Sequence, residues 1–467
     1  MFEKLANIFR VPDLRRRVLF TLGLLAVYRV GSHIPTPGID AAALARIFEQ
    51  LRSGPLGLVD LFSGGNLSRL TIFALGITPY ITSSIIFQLL TVIYEPLAKL
   101  QKEGELGRKK ITQWTRYMTV VLGAIQAFGI AATIQRGGFG GGERLVLNPG
   151  AGFILTTVIT LTAGTAFIMW LGEQITERGI GNGMSLLIFS GIVVGLPRAI
   201  ADLVDKAKSN VWGAFTVPAV VLLVLLMVAV VAFVVFVERS ERRVPMQFAK
   251  RMIGRRMVGG QQSYIPLRVN SGGVMPVIFA SSILTLPQFV APWFKDNRYF
   301  GPAFEALKFG EPLYTLLYAV GIIFFAYFYV SIVFNPTEVA DNMRRGGGFV
   351  PGIRPGKRTA DHINDILTRI TLVGAFYLII ISLIPEFMIA GIKLNHLPWF
   401  LGGNFFERLP AWITNGLGMN FYFGGTSLLI VVGVAMDTAN QVESQLIMRH
   451  YEGFTPRSGR IRGRRTW

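Results

Sequence analysis

Nineteen consecutive residues, Ala219 to Val237, carry no polar side-chain atom, and the 21 residues from Tyr314 to Phe334 carry no charge. Runs of this kind leave few folds open. In hydrocarbon every backbone N–H and C=O must be satisfied within the segment, which a helix does. At ~1.5 Å rise per residue, ~20 residues cross a ~30 Å hydrocarbon core. Charged residues are 16% of the 467-residue chain, against about 25% in a soluble domain. A soluble enzyme and a disordered chain are excluded. With no cysteine, so is a disulfide scaffold. The expectation is an all-α, polytopic membrane protein.

Ten spanning segments are predicted, at roughly 18–34, 70–93, 113–134, 152–171, 180–197, 215–237, 272–292, 313–334, 368–389 and 421–440. A short apolar piece, Leu56 to Phe62, precedes the second and is too short to span. With the N-terminus taken as cytoplasmic, the loops on that side hold 32 Lys and Arg, those on the other side 13, and Arg29 lies in the first segment. Cytoplasmic loops are the basic ones, so both termini are expected in the cytoplasm. Arg15-Arg16-Arg17 leads into an apolar segment with no small-residue cleavage site, so no removable leader is expected. The four histidines lack metal-ligand spacing, and no metal or cofactor is expected.

Five segments per half is an odd number, so a duplicated half would insert inverted. At that offset Pro79-Tyr80-Ile81 with Ser83-Ser84-Ile85-Ile86 echoes Pro276-Val277-Ile278 with Ser281-Ser282-Ile283-Leu284. Gly183-Met184-Ser185-Leu186-Leu187-Ile188 echoes Gly425-Thr426-Ser427-Leu428-Leu429-Ile430. Inverted repeats interrupted by Gly and Pro at matching positions point to a midplane site, so segments 2, 5, 7 and 10 are expected to line a pathway. Their mid-depth residues include no Asp, Glu, Lys or Arg, unlike those of ion-coupled transporters. Spacing alone leaves two readings of the apolar residues there: helix packing, or a gate. The hydroxyl and amide set of segment two, with Thr82, Ser83 and Gln88, reads equally as interhelical glue.

Longer strings carry a resemblance. LGEQITERGIGNGMS from Leu171, LFSGGNLSRLTIFALGITPYI before and into segment two, NPTEVADNMRRGGGFVPGIRPGKR in the 335–358 loop and FYFGGTSLLI at segment ten closely resemble the SecY family of bacterial protein-conducting channels. The resemblance runs over nearly the whole chain. It implies ten spans in two inverted halves, 1–205 and 206–440, a basic cytoplasmic tail at 441–467, and a lateral opening of segments 2 and 3 against 7 and 8. The family's hydrophobic pore ring falls on Ile77, Ile81, Met184, Ile188, Ile278 and Ile430. Met184 departs from the usual branched residue, yet its flexible thioether can fill a constriction. The plug, a short re-entrant helix, falls on about 58–66, with Leu58, Leu61, Phe62, Ser63, Gly64, Gly65 and Asn66. Lateral-gate polar residues fall on Thr82, Ser83, Gln88, Asn270, Ser281 and Ser282, with Gln88 and Asn270 expected to meet Ser83 and Ser281 across the gate.

Two basic loops remain, 238–271 and 335–369. By resemblance they dock the motor ATPase SecA and the ribosome, through Arg242, Arg243, Lys250, Arg251, Arg255, Arg256, Arg344, Arg345, Arg354, Lys357 and Arg358. Cationic side chains suit rRNA phosphates, although topology and anionic lipids also explain charge near a membrane. Other partners implied are SecE and SecG in a heterotrimer, SecD, SecF and YidC, signal peptides and nascent chains. The external loop 390–423 is long for the family, with no role assigned, and the basic tail Arg457 to Arg465 is expected to be cytoplasmic. The reading is a non-enzymatic channel subunit in the bacterial cytoplasmic (inner) membrane, which passes unfolded polypeptides across or releases them sideways. The alternative is an inverted-repeat secondary transporter of a small solute. It would need an intramembrane acid, and a membrane-embedded enzyme would need polar catalytic residues at depth.

Overall fold

In this computed structural model the residues described are 11–40, 43–44, 64–135, 146–208, 216–248, 251–253, 256–258, 262–290, 304, 306–307, 311–390 and 425–452. The chain is mostly helical. In order it forms α1 (Pro12–Gly31), α2 (Thr78–Ile93), α3 (Glu95–Lys102), α4 (Glu105–Gln135), α5 (Ala151–Arg178), α6 (Gly183–Lys208) and α7 (Thr216–Arg239). Four strands follow: β1 (Glu241–Phe248), β2 (Arg251–Ile253), β3 (Arg256–Val258) and β4 (Gln262–Arg268). Then come α8 (Met275–Val290), α9 (Pro312–Val333), α10 (Pro336–Arg345), β5 (Gly348–Phe349), α11 (Lys357–Ala390) and α12 (Gly425–Glu452).

Each of the ten apolar segments contains a helix. Among the described residues, Glu105–Gln135, Ala151–Arg178, Pro312–Arg345 and Lys357–Ile384 are long and apolar enough to cross a membrane. The pair α2–α3, bent by 99° where Tyr94 turns extended ahead of Pro96, makes a fifth if counted as one span. Both α2 and α8 are 16 residues long, about 24 Å, and so fall short of a ~30 Å core.

The second segment differs from its predicted start at residue 70. Its helix begins at Thr78, with Pro79 in the first turn, where a missing N–H costs nothing. Residues 64–77 fold as turns threaded between α1 and α5. The Thr36 N–H and hydroxyl both donate to the Leu70 carbonyl, at 2.9 and 2.7 Å, and the Ile72 N–H donates to the Ile34 carbonyl at 3.0 Å. Phe73 stacks between Tyr28 and Phe167, at 5.7 and 6.0 Å between centroids. A side chain on Gly164 would overlap the Ile72 carbonyl, so α5 receives this segment only because residue 164 has none. Leu70, buried with φ +40°, holds a conformation that costs roughly 1–2 kcal/mol; these surrounding bonds fix it.

The purely helical expectation also needs correction. β1 pairs antiparallel with β4 over Glu241↔Arg268 to Gln247↔Gln262, and with β5 at Gln247↔Phe349. The sheet order β4-β1-β5 therefore links the two basic loops. One apolar cluster lies beneath it: Val244, Leu267, Val330, Met343, Val350, Ile363 and Leu367. Charge hides the strand signal in these loops: Val244, Met246 and Phe248 alternate with Arg243, Pro245 and Gln247, and such alternation marks a half-buried strand.

Within the helical body α4 packs on α5 and α2, α8 on α9 and α2, and α6 on α12.

Candidate functional site

Four helices carry the expected ring isoleucines near their starts. Ile81 is the fourth residue of α2 and Ile278 the fourth of α8; Ile188 is the sixth of α6 and Ile430 the sixth of α12. The echo pairs of the sequence are therefore paired helix starts. α2 and α8 each carry Pro as second residue, after a non-helical approach. The amide of Ile81 donates to the Ile77 carbonyl at 3.0 Å, and that of Ile278 to the Val274 carbonyl at 3.2 Å.

These starts meet in one apolar cluster. Ile77, Ile188, Ile278 and Ile430 are buried in it, and Ile81 and Met184 pack against it half-buried. All six expected ring residues thus come together. The thioether of Met184 fills the space that a side chain on Gly172 would take. None of the six carries a hydrogen-bonding group that would hold water, apart from that weakly accepting thioether.

Two cavities, of about 430 and 680 Å³, adjoin the cluster, and both are lined by Ile188 and Ile278. The smaller adds Ile81 and Met184, with Gln88, Arg116, Glu173 and Glu177 higher on its walls. The larger adds Ile430, with Glu238, Arg268, Asn270 and Asp437. Their polar walls come from the same ends of the helices: the starts of α4, α6 and α8 and the ends of α2, α5, α7 and α12. An Arg116–Glu173 pair at 2.8 Å joins α4 to α5, and an Arg268–Asp437 pair at 3.6 Å joins β4 to α12. Glu238, at the end of α7, accepts a hydrogen bond from the Asn270 amide at 2.6 Å. Sequence reasoning missed these wall residues. The available signal was a charge at the edge of an apolar segment, as in Val237-Glu238-Arg239.

The lateral-gate residues divide. α2 does pack on α8. However, Thr82 and Ser83 turn inward and donate to the Thr78 and Pro79 carbonyls at 3.0 and 2.8 Å. Ser281 donates to the Ile278 carbonyl at 2.9 Å, and Gln88 donates to Ser84 at 3.3 Å. Ser282 is buried. Asn270 donates to Glu238 at 2.6 Å and to the Gly273 carbonyl at 3.0 Å. The expected contacts of Gln88 and Asn270 with Ser83 and Ser281 therefore do not form. Hydroxyls three or four residues after a helix carbonyl bond back to it on their own helix, and Asn270 lies in the turn before α8, beside α7.

Of the expected plug, Leu58, Leu61, Phe62 and Ser63 lie outside the described residues. Gly64 sits against Gly191 of α6, where a Cβ would stand 2.6 Å from its Cα. Asn66 is buried and donates to the Tyr28 hydroxyl at 3.2 Å.

Among the docking residues, Lys250 and Arg255 lie outside the described residues, and Arg251 and Arg256 sit on the β2–β3 hairpin. Arg242, Arg243, Arg344, Arg345, Arg354, Lys357 and Arg358 are exposed. Arg243 pairs with Glu241 at 2.7 Å and lies 4.7 Å over the Tyr264 ring. Arg354 stands between Gly352 (φ +80°) and Gly356 (φ +106°), a backbone that side chains resist. Val350 and Ile353 anchor the loop in the cluster below it, and the Thr359 hydroxyl donates to the Arg354 carbonyl at 3.0 Å. The guanidinium is thus presented outward from a fixed turn.

The SecY family profile matches residues 71–439. The protein translocase subunit SecY of Escherichia coli K12 is 49% identical over 443 residues, covering 94% of this chain and 93% of that one. A solved SecY structure, whose plug domain is described as stabilising the closed channel and maintaining a membrane seal, aligns with TM-score 0.60 at 17% identity and 94% coverage of each chain. A canine ribosome-channel complex from the endoplasmic reticulum aligns with TM-score 0.57 at 14% identity, again with 94% of each chain covered.

Proposed function

The chain belongs to the SecY family and is the channel subunit of a protein translocase, not an enzyme; from that premise we propose how this sequence builds and seals the channel. Ten helices, α1, α2, α4 to α9, α11 and α12, span the bacterial inner membrane as two inverted halves, 1–205 and 206–440, with the tail 441–467 and both termini in the cytoplasm. The 32-to-13 division of basic residues supports the orientation. With it, α2 and α12 run inward and α6 and α8 outward, so opposed helix starts converge on one level.

At that level Ile77, Ile81, Met184, Ile188, Ile278 and Ile430 form the ring through which the polypeptide passes. The observation that carries this reading is their common apolar cluster, flooring two water-accessible cavities that both reach Ile188 and Ile278. An apolar constriction dewets and so resists ions. Its side chains offer a moving chain no hydrogen bonds to hold it. The plug at 58–66 closes the external side, a role supported by the description of the solved SecY plug. Membrane segments leave between α2 with α4 and α8 with α9.

The body built from β4-β1-β5, α10 and the start of α11 docks SecA and the ribosome. Support comes from its outward guanidinium groups and from the ribosome-channel complex that shares the fold. SecE and SecG complete the heterotrimer, SecD, SecF and YidC are auxiliary partners, and anionic lipids meet the basic rim. Work comes from SecA or the proton-motive force.

A photo-crosslinking residue at position 278 tests the reading. It should capture a secretory polypeptide arrested in transit, while one at Val320, exposed on α9, should not. Equal capture at both positions, or none at 278, would remove the ring assignment.

A further inference from the structure

Seven residues, Arg268 to Val274, carry the chain from the sheet into α8, and four other helices close on them. At the α7–β1 corner, the Ser240 carbonyl accepts from the Val269 N–H at 3.0 Å. From α12, Asp437 meets Arg268 at 3.6 Å, and Gly433 comes so near that a Cβ would stand 2.7 Å from Val274 Cγ2. From α11, a Cβ on Gly374 would stand 2.7 Å from the Val269 carbonyl oxygen. From α9, Tyr329 lies over Gly272. The turn has little room to shift alone.

At its centre is Asn270, 6% exposed. Its amide donates to Glu238 Oε1 at 2.6 Å and to the Gly273 carbonyl at 3.0 Å. The second bond shapes the turn; the first ties it to the end of α7. The carbonyl of Val274, the last residue of the turn, accepts the Ile278 N–H. The first turn of α8, and with it the ring side chain, is therefore hung from this joint. A hydrogen bond to a charged group contributes more than a neutral one, and a buried donor or acceptor left alone costs its desolvation.

We propose that Asn270 and Glu238 are positioning residues for the pore: their bond fixes the 268–274 turn against α7 and so holds Ile278 in the closed ring. The inference rests on the ring reading above. It also gives the basic loops a path to the pore, since Arg268 and Asn270 continue directly from β4. Load applied to the sheet reaches Ile278 through a hydrogen-bonded and packed turn rather than through a free linker.

The test is resting ion conductance of the assembled channel in planar bilayers, without substrate. Glu238→Ala deletes the acceptor and leaves the Asn270–Gly273 bond in place; it should raise the leak about tenfold, the loss of roughly one charged hydrogen bond. Glu238→Gln keeps a neutral acceptor oxygen and should leak clearly less than Glu238→Ala. Ile278→Asn serves as the leak reference. A tight Glu238→Ala beside a leaking Ile278→Asn overturns the proposal and spares the ring. Equal leaks from Glu238→Ala and Glu238→Gln also overturn it, since the bond would then not matter. A tight Ile278→Asn removes the ring reading and the proposal together. Should Glu238→Ala not assemble, Asn270→Asp, which sets two carboxylates face to face, carries the same expectation of a leak.

Discussion

Replacing Ile81 and Ile278 together by asparagine should make resting membranes conduct ions. Ile278 is 8% exposed, Ile81 packs half-buried against the same cluster, and Ile188 and Ile430 beside them are 7% and 1% exposed. Each new amide would bring two donors and an acceptor into a cluster whose side chains offer them no strong partner. Burial of such a group unpaired costs roughly 2–7 kcal/mol. The two cavities supply water within reach, so hydration of the constriction relieves that cost. If only about 2 kcal/mol of the dewetting barrier is lost, the leak rises about thirtyfold, at tenfold per ~1.4 kcal/mol. The assay is conductance of the reconstituted channel, with Val320→Asn and Phe324→Asn as the control pair. Both control residues are more than half exposed on α9 and should leave the seal intact. A double ring variant as tight as wild type would refute the reasoning, and so would an equal leak from the control pair.

Arg354→Glu should leave the protein inserted, because its side chain is exposed and the turn is fixed by Gly352, Gly356 and Val350, yet abolish SecA-driven secretion; export at the wild-type rate would count against the docking body. A cysteine at Lys357, exposed in this chain without cysteine, should be labelled from the cytoplasmic side alone, and labelling from outside would invert the topology. Gly164→Ala should lower thermal stability in detergent by about 1–3 kcal/mol or more, because its Cβ meets the Ile72 carbonyl. Gly123→Ala, with 4.0 Å to Thr165, should be nearly neutral, and equal stability of the two would refute the threading of residues 64–77.

The isoleucine cluster was the most legible part of the chain. Pro79 and Pro276, like Gly183 and Gly425, start helices, and a residue at a fixed distance from a helix start has a fixed depth. That is why two short echoes located four isoleucines that the fold brings together. Hydropathy alone could not find where α2 begins. Leu70 to Ile77 is apolar because it is buried in protein between α1 and α5, not because it faces lipid, and a window average does not separate the two. The sheet was hidden by its arginines. Its apolar alternation is short, and its third strand, β5, comes from a different loop about 100 residues later. Asn270 was placed at the gate by resemblance, which says nothing of its local hydrogen-bond partner. Its partner, Glu238, lies 32 residues earlier across the β1–β4 hairpin, and only the pairing register brings the two together.

Locking the ring tests the central claim, that the polypeptide passes between these side chains. Ile188 and Ile278 line both cavities, and the chain has no cysteine to interfere. Ile188→Cys with Ile278→Cys, joined by a short reducible crosslinker in the assembled channel, should stop translocation of a secretory polypeptide, and reduction should restore it. Translocation at the wild-type rate through the crosslinked channel would contradict the account.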